Sequence, residues 1–306
     1  MFSQRQVYLN GDFVNWDQSQ VHLLSHSFGR GSAIFEVISF YQTDQGPAVF
    51  RLNDHLDRLL RSAELLLMDL AQSKEEVKEA ALETVRINGL DQGYIKIIAY
   101  YGQVAFEAIT SQKTPDLAIF ALDPDQDLGG LEAPQPGISA CVSKWRKLHP
   151  ETVPIEAKAA ANYINGIMAR QEAINRGFDN GIMLDSQGFI AECSTESVFL
   201  VKDGRLMTPA LGTVLAGISR KSLLEAAGAI GLETVQARLK PELLLEAEEI
   251  FLASTAFKVM PVYKIEDRLL DQVPGPVSRK LSALLEDISS GRDQRFRDWL
   301  TPVRPA

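Results

Sequence analysis

The sequence predicts a mixed α/β (α+β) protein of two domains. Three observations carry that expectation. The chain has 306 residues, room for two domains at about 150 residues each. Its apolar pattern switches repeatedly between helical and strand periods. One stretch, Asp123 to Gly137 (DPDQDLGGLEAPQPG), collects three Pro, three Gly and four acidic residues and reads as a linker. The resulting division is a smaller domain over 1–122, a linker over 123–136 and a larger domain over 137–306.

Each element has its own signal. Val7–Leu9, Ala33–Tyr41 and Ala48–Arg51 read as strands of an antiparallel meander. Leu52, Leu56, Leu59, Leu60, Ala63, Leu66 and Leu67 recur at helical spacing, which predicts a helix over Leu52–Leu70 with Asn53 or Asp54 as its cap. A second helix runs from Lys74 to Asn88 and stops at Gly89. Tyr94–Tyr101 and Leu117–Leu122 are strands, rich in β-branched and aromatic or apolar residues. Beyond the linker come a strand at Ile138–Ser143, a helix over Ala160–Arg176, hairpin turns at Asp185–Gly188 and Lys202–Arg205, and a strand at Glu249–Ala253. Helices are expected at Ser219–Ile230 and Pro276–Ile288. In the last segment, Gly291–Ala306, a helix packing Phe296 and Trp299 onto the body is the reading.

Composition excludes several classes. Lys and Arg number 31 against 40 Asp and Glu, a net charge of −9. Phosphate backbones are bound mainly by Lys and Arg, so a nucleic-acid partner is not expected. No signal peptide or membrane span is expected, because no apolar run is long enough. Two cysteines, Cys141 and Cys193, are too few for a disulfide scaffold, and no C-x-x-C or H-E-x-x-H suggests a metal. A cytoplasmic protein without a metal is the expectation.

The candidate chemistry begins at Lys158, flanked by alanines in I-E-A-K-A-A-A-N-Y. It is either a solvated lysine at a helix start or a partly buried amine whose lone pair is freed for Schiff-base chemistry. Asn162 and Tyr163 follow at helical distance. Glu192 ends F-I-A-E, and strand alternation puts it with Ile190, opposite Phe189 and Ala191. It is either an edge carboxylate in water or an inward one facing a protonated ring nitrogen. Gly217-Ile218-Ser219-Arg220 opens a helix after Leu215, and such a start offers free N–H groups to a phosphate. Thr255, after a strand, adds a hydroxyl. Arg58 offers a guanidinium fork, or pairs with an acidic neighbour. Together these are an amine, a carboxylate, a phenol and phosphate donors, the set that pyridoxal phosphate requires.

These motifs resemble the class IV pyridoxal-phosphate aminotransferases, a family of branched-chain aminotransferases, D-amino acid aminotransferases and aminodeoxychorismate lyases. The resemblance runs from Tyr8 to about Pro276. It is carried by K158-A-A-A-N-Y, G181-I-M-L-D-S-Q-G-F-I-A-E-C-S-T-E-S-V-F, T208-P-A, L215-A-G-I-S-R and F251-L-A-S-T-A. It implies that Lys158 is the Schiff-base lysine and proton shuttle, Glu192 the partner of the pyridine nitrogen and Tyr163 the donor to the ring oxygen. It implies a phosphate cup of Arg58, Ile218, Ser219 and Thr255, with Leu215 on the cofactor ring. The family's fold is a small N-terminal α/β domain and a larger C-terminal α/β pseudo-barrel domain with the cofactor between them. Its members are usually homodimers or higher homo-oligomers.

Within the family, the stretch V-H-L-L-S-H-S-F-G-R-G-S-A-I-F-E-V-I, starting at Val21, resembles the branched-chain group. Phe35 fits a pocket wall, Tyr94 a donor near the substrate carboxylate, and Ser254-Thr255-Ala256 a turn that holds it. Arg30 stands where branched-chain enzymes usually have tyrosine, and Lys96 where they usually have arginine. Cys193 replaces a usual glycine and Ser197 a usual asparagine. The resemblance implies transfer of the amino group of Leu, Ile or Val to 2-oxoglutarate by a ping-pong mechanism. A D-amino acid aminotransferase, an aminodeoxychorismate lyase and a cofactor-binding protein without turnover are the alternatives.

Overall fold

A computed structural model describes residues 2–130 and 134–303. In chain order the strands and helices are β1 (Gln6–Leu9), β2 (Asp12–Asn15), α1 (His26–Arg30), β3 (Ile34–Thr43), β4 (Gly46–Phe50), α2 (Leu52–Leu65), α3 (Lys74–Ile87), β5 (Gly93–Tyr100), β6 (Asp116–Leu122) and α4 (Pro124–Asp127). Then follow β7 (Ile138–Arg146), α5 (Tyr163–Asn175), β8 (Asn180–Leu184), β9 (Ser197–Lys202), β10 (Arg205–Pro209), α6 (Ile218–Ala229), β11 (Thr234–Ala237), α7 (Leu243–Glu246), β12 (Glu249–Ala253), β13 (Met260–Ile265), β14 (Arg268–Leu269), α8 (Pro276–Ser289) and β15 (Leu300–Pro302). The mixed α/β class read from the sequence is the one observed. No helix among the described residues is long and apolar enough to cross a membrane.

The chain forms two compact units. The first holds residues 2–130, Ala157–Ala161 and 288–303, and the second holds 134–156 and 162–287. The first therefore takes in two segments that a contiguous split would assign to the second. Both returns have a backbone cause. Residues 159–161 pair with the start of β3, and β15 pairs antiparallel with β4. The expected linker starts as ordered structure, and its residues 131–133 lie outside the described ones. Asp123 caps α4, and Asp127 takes a fork from Arg5 at 2.9 Å.

In the first unit a seven-stranded sheet runs β15-β4-β3-β5-β6-β1-β2. One face packs on α2 and α3, burying Ile34, Ile38, Ile95 and Ile97 against Leu52, Leu56, Leu59, Val77, Ala81 and Val85. Each fully buried Leu or Ile contributes about 1.5–3 kcal/mol. α3 starts as expected, with a capping box between Ser73 and Glu76. α2 starts at Leu52 as expected and differs from the sequence reading in its cap and in its end. Its cap position is Arg51, which carries φ 50°, so Asn53 and Asp54 lie inside the first turn. It ends at Leu65, because Leu67 turns left-handed at φ 56° and the Met68 N–H reaches back to the Ala63 carbonyl. That is the usual helix-ending motif with leucine where glycine is the common signal.

The helix-covered face also buries a charge. Glu36 on β3 is fully buried, and both its oxygens are used. Arg58 Nε donates to Oε1 and Nη2 to Oε2, each at 2.7 Å, and His55 Nδ1 meets Oε2 at 2.7 Å. Burial by itself would raise the Glu36 carboxyl, but the Arg58 guanidinium and the bonds from Arg58 and His55 outweigh it and hold it at about 2. Burial pushes His55 below its ordinary value, against the pull of Glu36.

The second unit is an eight-stranded sheet, ordered β11-β10-β9-β12-β13-β7-β8 with β14 attached to β13. Residues 190–192 close it further. The Ala191 N–H donates to the Met183 carbonyl on β8, the Met183 N–H returns to the Glu192 carbonyl, and Glu192 bridges to Ser197 on β9. Strands from β9 round to β8 are thereby linked into a half-barrel. Its core is Ile182, Ile190, Val198, Leu200, Leu252 and Val262. The hairpin at Lys202–Arg205 is formed as expected, with Asp203 at φ 51° and Gly204 at φ 70°.

The C-terminal strand is secured by Trp299. The Arg51 guanidinium lies 3.4 Å from its ring centroid, and Phe50 and Phe296 meet its edges. Trp299→Ala should destabilise the full chain by about 3 kcal/mol or more in urea unfolding; a loss under about 1 kcal/mol would contradict this packing. A second expectation concerns acid. Glu36 and His55 both bind protons more tightly in the unfolded chain, so their contribution is complete above their unfolded values. It is lost as pH falls, from 6.5 downward for His55 and between 4.5 and about 2 for Glu36. Unfolding measured from about pH 7 to about pH 3 should show this loss. Glu36→Gln should flatten it below pH 4.5; an unchanged slope would be the contrary result.

Candidate functional site

Lys158 lies in an extended segment and not at a helix start. The Phe35 N–H donates to its carbonyl at 3.0 Å, and the Ala160 N–H donates to the Ala33 carbonyl at 2.8 Å. Its own N–H donates to Ser62 Oγ on α2 at 3.0 Å. The backbone here is committed to β3, so helix α5 begins only at Tyr163, after a single 3-10 turn over Ala160–Asn162. Ala157 and Ala159 are buried on either side, and Lys158 is half-buried. Antiparallel pairing of Ile34 with Ala159 sets Lys158 opposite Phe35. The amine accordingly lies 4.9 Å from the Phe35 ring centroid.

Strand alternation places more candidates on that face. Val37 pairs with Lys96 and Ser39 with Tyr94, so Phe35, Tyr94 and Lys96 share the face opposite α2. Lys96 Nζ lies 5.7 Å from the Phe35 centroid. Burial, with Tyr41 and Asp125 adding to it, pushes the Tyr94 phenol up to about 12, so it is a neutral donor at physiological pH. Arg30 ends α1 in an exposed position, where its Nη2 donates to the Phe106 carbonyl at 3.1 Å. Arg58 lies on the covered side, its Nε and Nη2 edge held by Glu36.

In the second unit Glu192 is buried in a segment whose residues 190–194 are all buried, without the alternation expected of a strand. Its Oε2 accepts the Leu215 N–H at 3.1 Å, which joins two of the candidate residues directly. Its Oε1 is ion-paired with Lys147. Tyr163 heads α5, and one turn later Gly166 meets the chain after Glu192. A Cβ at Gly166 would fall 2.1 Å from the Ser194 carbonyl oxygen, so only glycine lets the helix lie this close.

Ser197 gathers the remaining parts. It bridges Glu192, pairs with Ala253 at the end of β12, and its Oγ lies 3.0 Å from where a Cβ of Gly217 would stand. The start of α6 and the turn after β12 are thus brought beside Glu192. Ile218 and Ser219 are the first two residues of the 12-residue α6, whose first-turn N–H groups have no acceptor within the helix. Ser254 to Phe257 form a tight turn, with the Ser254 N–H on the Phe257 carbonyl and the Phe257 N–H on Ser254 Oγ. That turn presents Thr255 and Ala256.

Sequence reasoning did not single out Glu36, His55, Ser62 or Lys147 as partners of these groups. A signal existed for Glu36, an acid between Ile34 and Ile38 on an apolar alternation. His55, Arg58 and Ser62 recur at helical spacing, a stripe of α2 beside its leucines. Lys147 carries no local mark. Cys141 and Cys193 are unpaired and buried, and burial pushes the Cys141 thiol up to about 11, which leaves it a poor nucleophile.

The chain is similar to known proteins along nearly its whole length. The family model described as amino-transferase class IV matches residues 33–265. The branched-chain-amino-acid aminotransferase of Salmonella typhimurium is 33% identical over 299 residues, 97% of each chain. A crystal structure of a branched-chain aminotransferase from Thermoproteus uzoniensis with norvaline superposes with a TM-score of 0.90 at 34% identity, covering 98% of this chain and 99% of that one. The branched-chain amino acid aminotransferase of Escherichia coli gives 0.91 at 32% identity, covering 98% and 99%. Another solved branched-chain amino acid aminotransferase, complexed with N-(5'-phosphopyridoxyl)-L-glutamate, gives 0.92 at 31% identity, covering 99% and 100%. With identity of this order running along nearly its whole length, the chain belongs to the class IV aminotransferases.

Proposed function

We propose that the protein is a pyridoxal-phosphate-dependent branched-chain aminotransferase, moving the amino group of L-leucine, L-isoleucine or L-valine to 2-oxoglutarate. The observation that carries this reading is the half-buried Lys158 amine, its backbone tied to β3 and α2 and its Nζ beside an aromatic ring, in a chain similar throughout to branched-chain aminotransferases. The donor set fits the cofactor. An amine, a buried carboxylate beside a backbone N–H, a phenol and a helix start are the chemistry that its aldehyde, ring nitrogen, ring oxygen and phosphate require. Bound pyridoxal phosphate supplies an aldehyde for the substrate amine and a ring that withdraws electrons from the Cα–H bond.

The chain's own residues do the rest. Lys158 Nζ would hold the cofactor between turnovers, accept the substrate α-proton as a base once the substrate amine has displaced it, and give that proton up again as an acid. Its neighbours keep it there, because a backbone tied to β3 leaves only the side chain to move. Glu192 would supply the counter-charge of the ring nitrogen, and Tyr163 would donate to the ring oxygen. Leu215 would back the ring, while Ile218, Ser219, Thr255 and Arg58 would hold the phosphate. Ser254 and Ala256 would orient the substrate carboxylate with the Tyr94 phenol as a donor beside it, and Phe35 would wall the pocket. Lys96 receives the second carboxylate of glutamate as a point charge, without the two-toothed geometry that arginine gives. Arg30 adds a cation at the pocket mouth. We further propose a cytoplasmic homodimer, a reading that rests on the family resemblance and on the two unpaired cysteines.

The purified protein should show the yellow absorbance of bound cofactor. L-leucine should bleach it and D-alanine should not; bleaching by D-alanine alone would move the substrate to the D-series. Lys158→Ala should lower transamination by about 10³-fold or more, and near-native turnover would remove Lys158 from its role. Glu192→Gln should keep the cofactor bound and slow α-proton abstraction about 100-fold. Light scattering should give twice the chain mass, and a monomer at assay concentration would contradict the dimer.

A further inference from the structure

Glu36 and His55 take no part in the reading above, yet they sit behind one of its residues. We propose that Glu36, backed by His55, is the positioning residue that aims Arg58 at the cofactor phosphate. This rests on the reading that Arg58 contacts that phosphate.

A guanidinium carries five N–H donors in a rigid plane at the end of a flexible stem. Here the Nε and Nη2 edge is taken by the two oxygens of Glu36, both at 2.7 Å. Two bonds in one plane fix its orientation, so the opposite edge faces one direction set by β3 rather than by the rotamers of Arg58. Glu36 is itself immobile, fully buried and held at Oε2 by His55 Nδ1. His55 is neutral in this setting because burial lowers its basicity, and its Nδ1–H is the donor that a carboxylate requires.

The same helix face also sets the lysine. His55, Arg58 and Ser62 lie three and four residues apart, one stripe of α2. Ser62 accepts the Lys158 N–H, while Glu36 comes one residue after Phe35, whose N–H bonds the Lys158 carbonyl. The phosphate donor and the amine are therefore registered on one frame of α2 and β3. A stabilising role does not account for the arrangement, since apolar residues of similar volume serve a core as well as a buried ion pair.

Charge makes the idea testable by sign. Glu36 cancels the charge of Arg58, so removing its charge leaves the phosphate site more positive. If Arg58 acted through charge alone, Glu36→Gln would tighten phosphate binding. If orientation matters, it weakens binding. Full-length protein freed of cofactor would be titrated with pyridoxal phosphate and with pyridoxal, which lacks the phosphate. Glu36→Gln should raise the Kd for pyridoxal phosphate about tenfold and leave that for pyridoxal within about twofold. His55→Leu should produce a smaller change with the same selectivity, and it decides the matter if Glu36→Gln fails to fold. Equal weakening of both ligands, or tighter binding of pyridoxal phosphate, would overturn the proposal. Arg58→Gln separates the two levels, removing both the charge and the fork. If it retains the wild-type preference for the phosphorylated ligand, Arg58 is not a phosphate ligand and the reading beneath the proposal fails. If it loses that preference while Glu36→Gln and His55→Leu keep it, only the positioning role fails.

Discussion

The short backbone pairing between residues 158–161 and the start of β3 is the constraint on which the first unit's chemistry depends. A lysine has four rotatable bonds in its side chain, and its amine is useful only if the stem begins from a fixed place. Here the N–H of Lys158 is held by Ser62, its carbonyl by Phe35, and its neighbours by Ala33 and Gly31. Gly31 contributes by its size and conformation. It adopts φ 69°, and a Cβ there would come within 3.2 Å of Ala161. The alanines around Lys158, which made it unusual as a surface residue, are small enough to lie in this pairing.

Buried charge is handled differently in the two units. Glu36 is neutralised by the fork of Arg58 and solvated by His55, with both oxygens in use. Glu192 is balanced by Lys147 on one oxygen and by a backbone N–H on the other. In each case the carboxylate joins segments that are distant in sequence, and that fixes local geometry more than it adds stability. Arg220 is the contrast. It is buried and donates to the Pro209 carbonyl and to Gln236, both neutral, and burial lowers its pKa. It ties the first turn of α6 to the ends of β10 and β11.

What the sequence discloses follows the range of the forces involved. Periodic elements are legible because burial repeats along the chain: β5, β6, α3 and β12 lie within a residue or two of their expected limits. The cap and the end of α2 are not, because Arg51 and Leu67 adopt left-handed backbone without the glycine that signals it. Lys158 and Glu192 stand out through motif and resemblance, but their local structures do not. The residues around the first suggest a helix start and those around the second an alternating strand, and tertiary pairing overrides each. Glu36 is marked locally by its place between Ile34 and Ile38, but its partners, like the whole meaning of Lys147, come from segments brought near by the fold, which no local window holds.

The pairing of β15 with β4 has a consequence in time as well as in space. Chains are made from the N-terminus, and domains commonly fold as they emerge. The first unit is begun by residues 2–130 but completed by residues 288–303, since the edge of β4 and the face of Arg51 are covered by residues 299–303. The unit that starts first is therefore finished last. Until residues 299–303 have been made, β4 presents an open edge to the crowded surroundings of the ribosome.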